Sequence, residues 1–469
     1  MKDQSLPACS IFAAQAGSIL KIEPNIKWLR KNICIAIFLL VALLPLSIPT
    51  VLNAGEKQPA KVLTLQDALE IAREKNRDIL KAQEYRKQVA GRYVEERAAA
   101  LPQFMISSGI YRSRDESQMA YGPGFSLESQ TKSATIGLNQ VLFTFGQIGA
   151  AIRGAKMGIA SADEQLRIFR QAALRDVSAA FYDALLSGEL LKLSTQNLEQ
   201  KERHRDEVQK KLKLGVATDY DVLSSEVAVQ NARPEVIRME NLVRISREKL
   251  RFLLGLGDAE IEVQGDLGRD GGPYPRLEET AAKARLNRPD IADMGYRIAI
   301  AGELITIAKA GDKPRLDLKA DWGWRDLALQ GSNADGQAWT AGIFLTYPFF
   351  DGMRSQGRVL QARSNLATLK IEEAKLLDEI LLQTRGAVDA VCEAGEIVKA
   401  LTATVEQADR LLQMAEKGYE FGVKTKLDVD DAALNRMQAR SNLARARRDY
   451  MVALATLDWV MGTSGEEGK

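Results

Sequence analysis

Two stretches of this chain repeat one another. Gly215-Val216-Ala217-Thr218-Asp219-Tyr220-Asp221-Val222 interrupts a long helical pattern at glycine and restarts it after threonine. Gly422-Val423-Lys424-Thr425-Lys426-Leu427-Asp428-Val429 does the same in the second half. The same offset separates Ala232-Arg233 from Ala439-Arg440 and Gly255 from Gly462. Earlier markers recur as well. Asn76-Arg77-Asp78-Ile79 is echoed by Asn287-Arg288-Pro289-Asp290-Ile291, Pro102 by Pro314, and Phe143-Thr144-Phe145-Gly146 by Phe349-Phe350-Asp351-Gly352. A duplication this extensive restricts the fold to two similar units. The expected division is 62–255 for the first repeat, 256–276 for a Gly-, Asp- and Pro-rich linker, 277–462 for the second repeat and 463–469 for a tail.

Within each repeat the dominant pattern is helical. A helix is expected from Gln147 to Leu214, a length of about 100 Å at ~1.5 Å per residue. Its early apolar positions, Ile148, Ile152, Ala155, Ile159, Ala162, Leu166 and Phe169, step by four and three, which is coiled-coil spacing. A second helix returns to Gly255, with Pro234 expected to kink or break it. The second repeat has a comparable run up to Gly422 and a last helix to Gly462. Shorter helices are expected from Thr64 to Leu101, stopped by Pro102, and over 277–312, stopped before Pro314. The composition, 46% hydrophobic and 27% charged with only 6% aromatic, suits long amphipathic helices. It excludes a disordered chain and a bundle of transmembrane helices.

The only strongly apolar run, Ile33–Leu44, is too short to span a bilayer, which needs about 20 residues. Lys27, Arg30 and Lys31 precede it and Leu52-Asn53-Ala54 follows, so residues 1–54 are expected to be a secretory signal, with an uncleaved anchor as the alternative. Without them the chain holds 59 basic and 60 acidic residues, a balance that gives no reason to expect nucleic acid as a partner. Cys392 is then the one remaining cysteine, so no internal disulfide is expected.

Four segments alternate with a period of two: about 103–112, 133–143, 315–325 and 338–347. In the third, Leu316, Leu318, Ala320, Trp322 and Trp324 alternate with Arg315, Asp317, Lys319, Asp321 and Arg325. Polar loops are expected between the strands of each pair, the second over 326–337. A soluble sheet would need a layer over its apolar face, whereas a membrane barrel turns that face to lipid and its charges to a watery lumen. Four strands cannot close a barrel, because small membrane barrels need about 8, so the barrel reading requires several chains.

In the order and spacing of these features, over about residues 62–462, the chain resembles the TolC-like outer-membrane factors. The resemblance rests on the double repeat, the corner Phe349-Phe350-Asp351-Gly352 and the Gly-x-x-Thr-x-x-Asp-Val hairpins. It implies a mainly α fold with a membrane β-barrel portion, in which duplicated long coiled helices accompany four strands per chain. It also implies a homotrimer with a 12-stranded barrel on an α-helical periplasmic tunnel. Residues 256–276 and the tail would girdle that tunnel. The function implied is a passive exit duct of a tripartite efflux system in the outer membrane. The hairpin tips at Gly215, Thr218, Gly422 and Thr425 would dock on a periplasmic adaptor or an inner-membrane transporter.

The resemblance also assigns a gate. Asp428 and Asp431 match an acidic pair that forms two rings across the trimer's periplasmic end, and their i, i+3 spacing puts both on one helix face. Helix capping is the competing role for both. Tyr419 and Lys424 match a Tyr and an Arg that latch the closed state against an Asp of the first hairpin, here Asp221. Lysine is a departure, since an ammonium cannot make the planar bidentate contact of arginine. His204 is the single histidine, on an expected solvated helix face, and cannot form a metal site alone. No nucleophile–base set and no phosphate-loop signature is present, so neither enzymatic activity nor a cofactor is expected. Two alternatives to the efflux duct stay open: an exit duct for type I protein secretion, and a periplasmic coiled-coil scaffold or adaptor without a pore.

Overall fold

Capping residues decide where the helices begin. The computed structural model describes residues 61–115, 127–268, 274–329 and 332–464; the expected signal segment 1–54 and the tail beyond Ser464 lie outside them. After a short strand β1 (Lys61–Leu63), Thr64 opens α1 (Leu65–Lys75) through a reciprocal capping box with Asp67. The expected single helix to Leu101 is divided at Asn76. Its side chain accepts from the amides of Asp78 and Ile79 and starts α2 (Arg77–Ala98). The second repeat divides likewise into α5 (Leu277–Asn287) and α6 (Pro289–Lys309). There the cause is Pro289, which pushes the preceding Arg288 into an extended conformation. One 3₁₀ turn (Ala310–Asp312) ends that run.

The long helices follow expectation closely: α3 is Gln147–Lys213, α4 Asp219–Leu254, α7 Arg354–Glu420 and α8 Lys426–Val460. Pro234 does not break α4, which runs through it. One missing donor among 36 residues is a local loss, and the buried Val229, Ala232 and Ser246 hold the helix on either side. Among the described residues no helix is long and apolar enough to cross a membrane.

The strands are longer than their alternation suggested: β2 Gln103–Asp115, β3 Leu127–Phe143, β5 Arg315–Leu329 and β6 Ser332–Thr346. Most of the loop expected over 326–337 is therefore ladder, because polar residues are stable in a strand when both faces of that end meet water. The sheet is antiparallel in the order β2-β3-β5-β6. Phe104 pairs with Leu138, Leu138 with Ala320, and Ala320 with Ala341. One face is apolar and bare, with Phe104 74%, Ile106 79% and Trp339 73% exposed. The other face is polar and crowded. Thr131 and Asp317 are buried there, and a Cβ on Gly323 would lie 2.2 Å from the Ala134 carbonyl oxygen. Crowding on the polar side is what a sheet curling toward that side produces.

The hydrophobic core sits where the helices cross the linker. β4 (Ile261–Val263), inside the expected linker, pairs in parallel with β1. Leu63, Phe181, Leu250, Leu254, Ile261 and Leu267 pack together beneath this pair. The two repeats are stitched by charge as well as by packing. Asp183 of α3 receives Arg448 of α8 at 2.5 Å and Lys249 of α4 at 3.2 Å. The guanidinium groups of Arg175 and Arg288 lie 4.4 Å and 5.3 Å from the Trp459 ring centre. On α7, Glu396 accepts from the Tyr274 hydroxyl and from Lys399, which tethers the far end of the linker.

Candidate functional site

Each hairpin tip is built by a glycine that ends one helix and a threonine that starts the next. Gly215 and Gly422 take φ of +76° and +73°, a region costly for any residue with a Cβ. Backbone bonds then close each turn, from Val216 N to Lys211 O at 2.9 Å and from Val423 N to Gly418 O at 2.7 Å. Thr218 and Thr425 form capping boxes with Asp221 and Asp428. The carboxylates accept from the threonine amides at 2.8 Å in both copies and return the contact through their own amides. These bonds hold both carboxyls below the usual aspartate range, the threonine amide contributing most, then its hydroxyl, with Lys424 adding to the effect at Asp428.

The capping role considered for Asp428 is thus present in the chain. Asp431 lies one turn further along α8, exposed, on the same face. Val429 and Ala432 bury a neighbouring face against Leu412 and Ala415 of α7, which leaves the two aspartates outside that packing. Lys424 places its ammonium 3.4 Å from Asp428 Oδ1, and Lys426 pairs with Asp430 at 3.1 Å.

The three residues expected to form the latch do not meet within one chain. Among the described residues no hydrogen bond joins Asp221 to Tyr419 or Lys424; Asp221 accepts from its own cap residue, Thr218. Tyr419 instead faces Lys211 of the first hairpin, whose Nζ is 6.0 Å from the ring centre. The repeat explains the lysines. Lys211 occupies the position of Gly418, and Ala217 that of Lys424. A Cβ on Gly418 would stand 2.6 Å from Lys424 Cγ, so the lysine stem of the second hairpin uses the space that glycine leaves. Pairing the repeats position by position would have exposed this exchange in the sequence.

His204 is not on a solvated face. It is half-buried beside Lys426 and Asp430, and burial holds its imidazole below the usual histidine value, with Lys426 acting in the same direction. Helical periodicity alone could not reveal this, since the neighbour comes from the other hairpin.

The caps make a testable contribution. Thr218→Ala or Thr425→Ala removes one cap and is expected to destabilise its hairpin by about 1 kcal/mol. The carboxylate part of each cap is fully present above the unfolded value of 3.8 and is lost as pH falls through the lowered folded value. Amide protection at the tips, exchange relative to the unstructured chain at the same pH, should therefore fall in the variants at neutral pH, and in the wild type only below about pH 4.

Comparisons with known proteins agree with this architecture. The outer membrane efflux protein family matches residues 68–256 and 280–463, one stretch in each repeat. The outer membrane protein TolC of Escherichia coli (strain K12) is 22% identical over 440 residues, covering 91% of this chain and 87% of that protein. The alkaline protease secretion protein AprF of Pseudomonas aeruginosa is 25% identical over 381 residues, covering 79% of this chain and 78% of that protein. The solved Campylobacter jejuni CmeC outer membrane channel superposes with a TM-score of 0.75 at 16% identity, over 89% of this chain and 92% of that one. The open state of the Neisseria gonorrhoeae MtrE outer membrane channel gives 0.70 at 19% identity, over 85% and 89%. The two matched stretches span most of the sequence, and the chain belongs to the outer membrane efflux protein family.

Proposed function

We propose that three copies of this chain assemble into the exit duct of an efflux system in the outer membrane. The observation that carries the reading is a four-stranded sheet with a bare apolar face, a polar opposite face and ladder edges at β2 and β6. Unpaired edges are not tolerated in lipid, so the sheet must continue into other copies. Three sheets make a 12-stranded barrel, and the long helices hang from one end of it as a periplasmic tunnel. The strand ends joined to helices, at Gln103, Phe143, Arg315 and Thr346, are then the periplasmic ends. The division into repeats at 62–255 and 277–462, joined by an equatorial segment, accompanies this reading.

The tips are the docking points for a periplasmic adaptor or an inner-membrane transporter, which supplies the energy. Leu214, Val216 and Tyr220 on one tip and Phe421, Val423 and Leu427 on the other stand exposed, as a protein-binding surface requires. Protein secretion is the second reading, favoured by the likeness to AprF, which is named for alkaline protease secretion. A pore-free scaffold is disfavoured, since it would need its helices to cover the strand face that is bare. Purified protein added to a planar bilayer should produce discrete conductance steps. Insertion without conductance would overturn the duct.

A further inference from the structure

Where the helices meet the sheet, the wall of the chain has a hollow on each side, each of about 400 Å³. The first is lined by Gln103, Asn139 and Arg315 of the polar strand face and by Ile307 of α6, so it belongs to the inner side. Lys309 lies two residues beyond Ile307, a turn of about 200° around the helix, and points to the opposite side. There it lines the second hollow with Lys313 and, from α7, Gln356, Val359 and Arg363. This outer hollow sits just below the apolar strand face. Leu316 and Leu345 pair across β5 and β6 above it, and Tyr347, the next position of that face, is 58% exposed. An exposed aromatic ring where an apolar strand face ends marks the level of lipid headgroups. Lys313 stands two residues before β5, about 7 Å along the chain. A hydrocarbon core of ~30 Å in a bilayer of ~40–45 Å leaves a headgroup layer of about 5–7 Å on each side. Lys313 therefore lies at that depth. Arg363, further down α7, has its Cβ tilted toward the helix start and reaches back toward the same level.

The charge in the outer hollow is unbalanced. Three cations, Lys309, Lys313 and Arg363, line it with a single acid, Asp312. Asp312 is paired with Lys313 at 3.3 Å. Among the described residues the exposed side chains of Lys309 and Arg363 have no hydrogen-bond or ion-pair partner. Asp351, the other acid at this corner, precedes α7 and accepts from the Ser355 amide at 2.8 Å. Arg354 and Arg358 are exposed as well, but neither lines the hollow. One ammonium and one guanidinium thus face the same space with all their donors free, which suits a phosphate oxyanion.

We propose that this hollow seats the headgroup of an anionic phospholipid of the periplasmic leaflet, with its phosphate on Lys309 and Arg363 and its acyl chains along Leu316 and Leu345. The proposal rests on the barrel reading, since only that reading puts lipid beside the strands above the hollow. It gives the duct one lipid contact per chain at the level where barrel passes into tunnel.

The test uses the detergent-extracted full-length protein with phosphatidylglycerol, phosphatidylcholine of the same acyl chains, and inorganic phosphate. Binding is read by native mass spectrometry, and the conductance of the same wild-type preparation is recorded in parallel. Wild type should bind phosphatidylglycerol about tenfold tighter than phosphatidylcholine, and an equal concentration of inorganic phosphate should not displace it. Lys309→Gln with Arg363→Gln should reduce that preference to about twofold or less. Arg354→Gln with Arg358→Gln removes the same amount of charge outside the hollow and should leave the preference intact. Equal binding of the two lipids by a wild type that conducts would overturn the lipid site and leave the duct standing. Displacement by inorganic phosphate, or an equal loss of preference in both variants, would also overturn it. A wild type that does not conduct would sink the duct, and the lipid site with it.

Discussion

Replacing Asp428 and Asp431 together by alanine should abolish block of the channel by multivalent cations. In the proposed trimer each position would form a ring of three carboxylates, and the i, i+3 spacing would stack the two rings about one helical turn apart. Like charges ~8 Å apart repel by only about 0.5 kcal/mol per pair in water, and by more in a narrow, poorly solvated neck. A multivalent cation relieves that repulsion at both rings at once, so it binds and obstructs the path. Single-channel recordings with a trivalent cation on the periplasmic side should show block in wild type and none in the double variant. The two aspartates are separable, because Asp428 is also part of a cap and Asp431 is not. Asp431→Ala alone should weaken block while leaving amide exchange at the tip unchanged. Persisting block in the double variant would remove the rings from the account.

How much of this was legible in the sequence depended on whether the deciding contacts were local. The tips were legible because Gly-x-x-Thr-x-x-Asp encodes a turn and a capping box within a few residues. The long helices were legible through their apolar spacing. The breaks at Asn76 and Arg288 were missed. Asn76 can cap or lie within a helix, and its choice is supported by a distant bond, from its amide to the Leu253 carbonyl at 2.8 Å. The extension of β5 and β6 was missed because residues such as Asp326, Asn333 and Asp335 read as loop. Pairing across the ladder, including Lys132 with Asp326, stabilises them in strands. The latch of Asp221, Tyr419 and Lys424 stays a proposal. Its partners were assigned by matching positions, and that matching does not show that Lys211 faces the Tyr419 ring within one chain.

The larger claim is the copy number. One chain offers four strands with ladder edges at β2 and β6, and up and down directions alternate across them. Joining β6 of one copy to β2 of the next preserves that alternation and leaves no edge once the ring closes. Two copies would give eight strands, enough for a barrel whose interior is filled by side chains rather than open. Three give 12, which leaves room for a lumen lined by Asp317, Lys319, Asp321 and Arg325. The exposed apolar positions on the long helices, such as Ile237 and Phe252 on α4 and Leu360 and Leu382 on α7, need the same neighbours. The most direct measurement is the mass of the complex extracted by mild detergent from isolated outer membranes. The account predicts three copies that dissociate only on heating; a monomer, or a protein released without detergent, would contradict it.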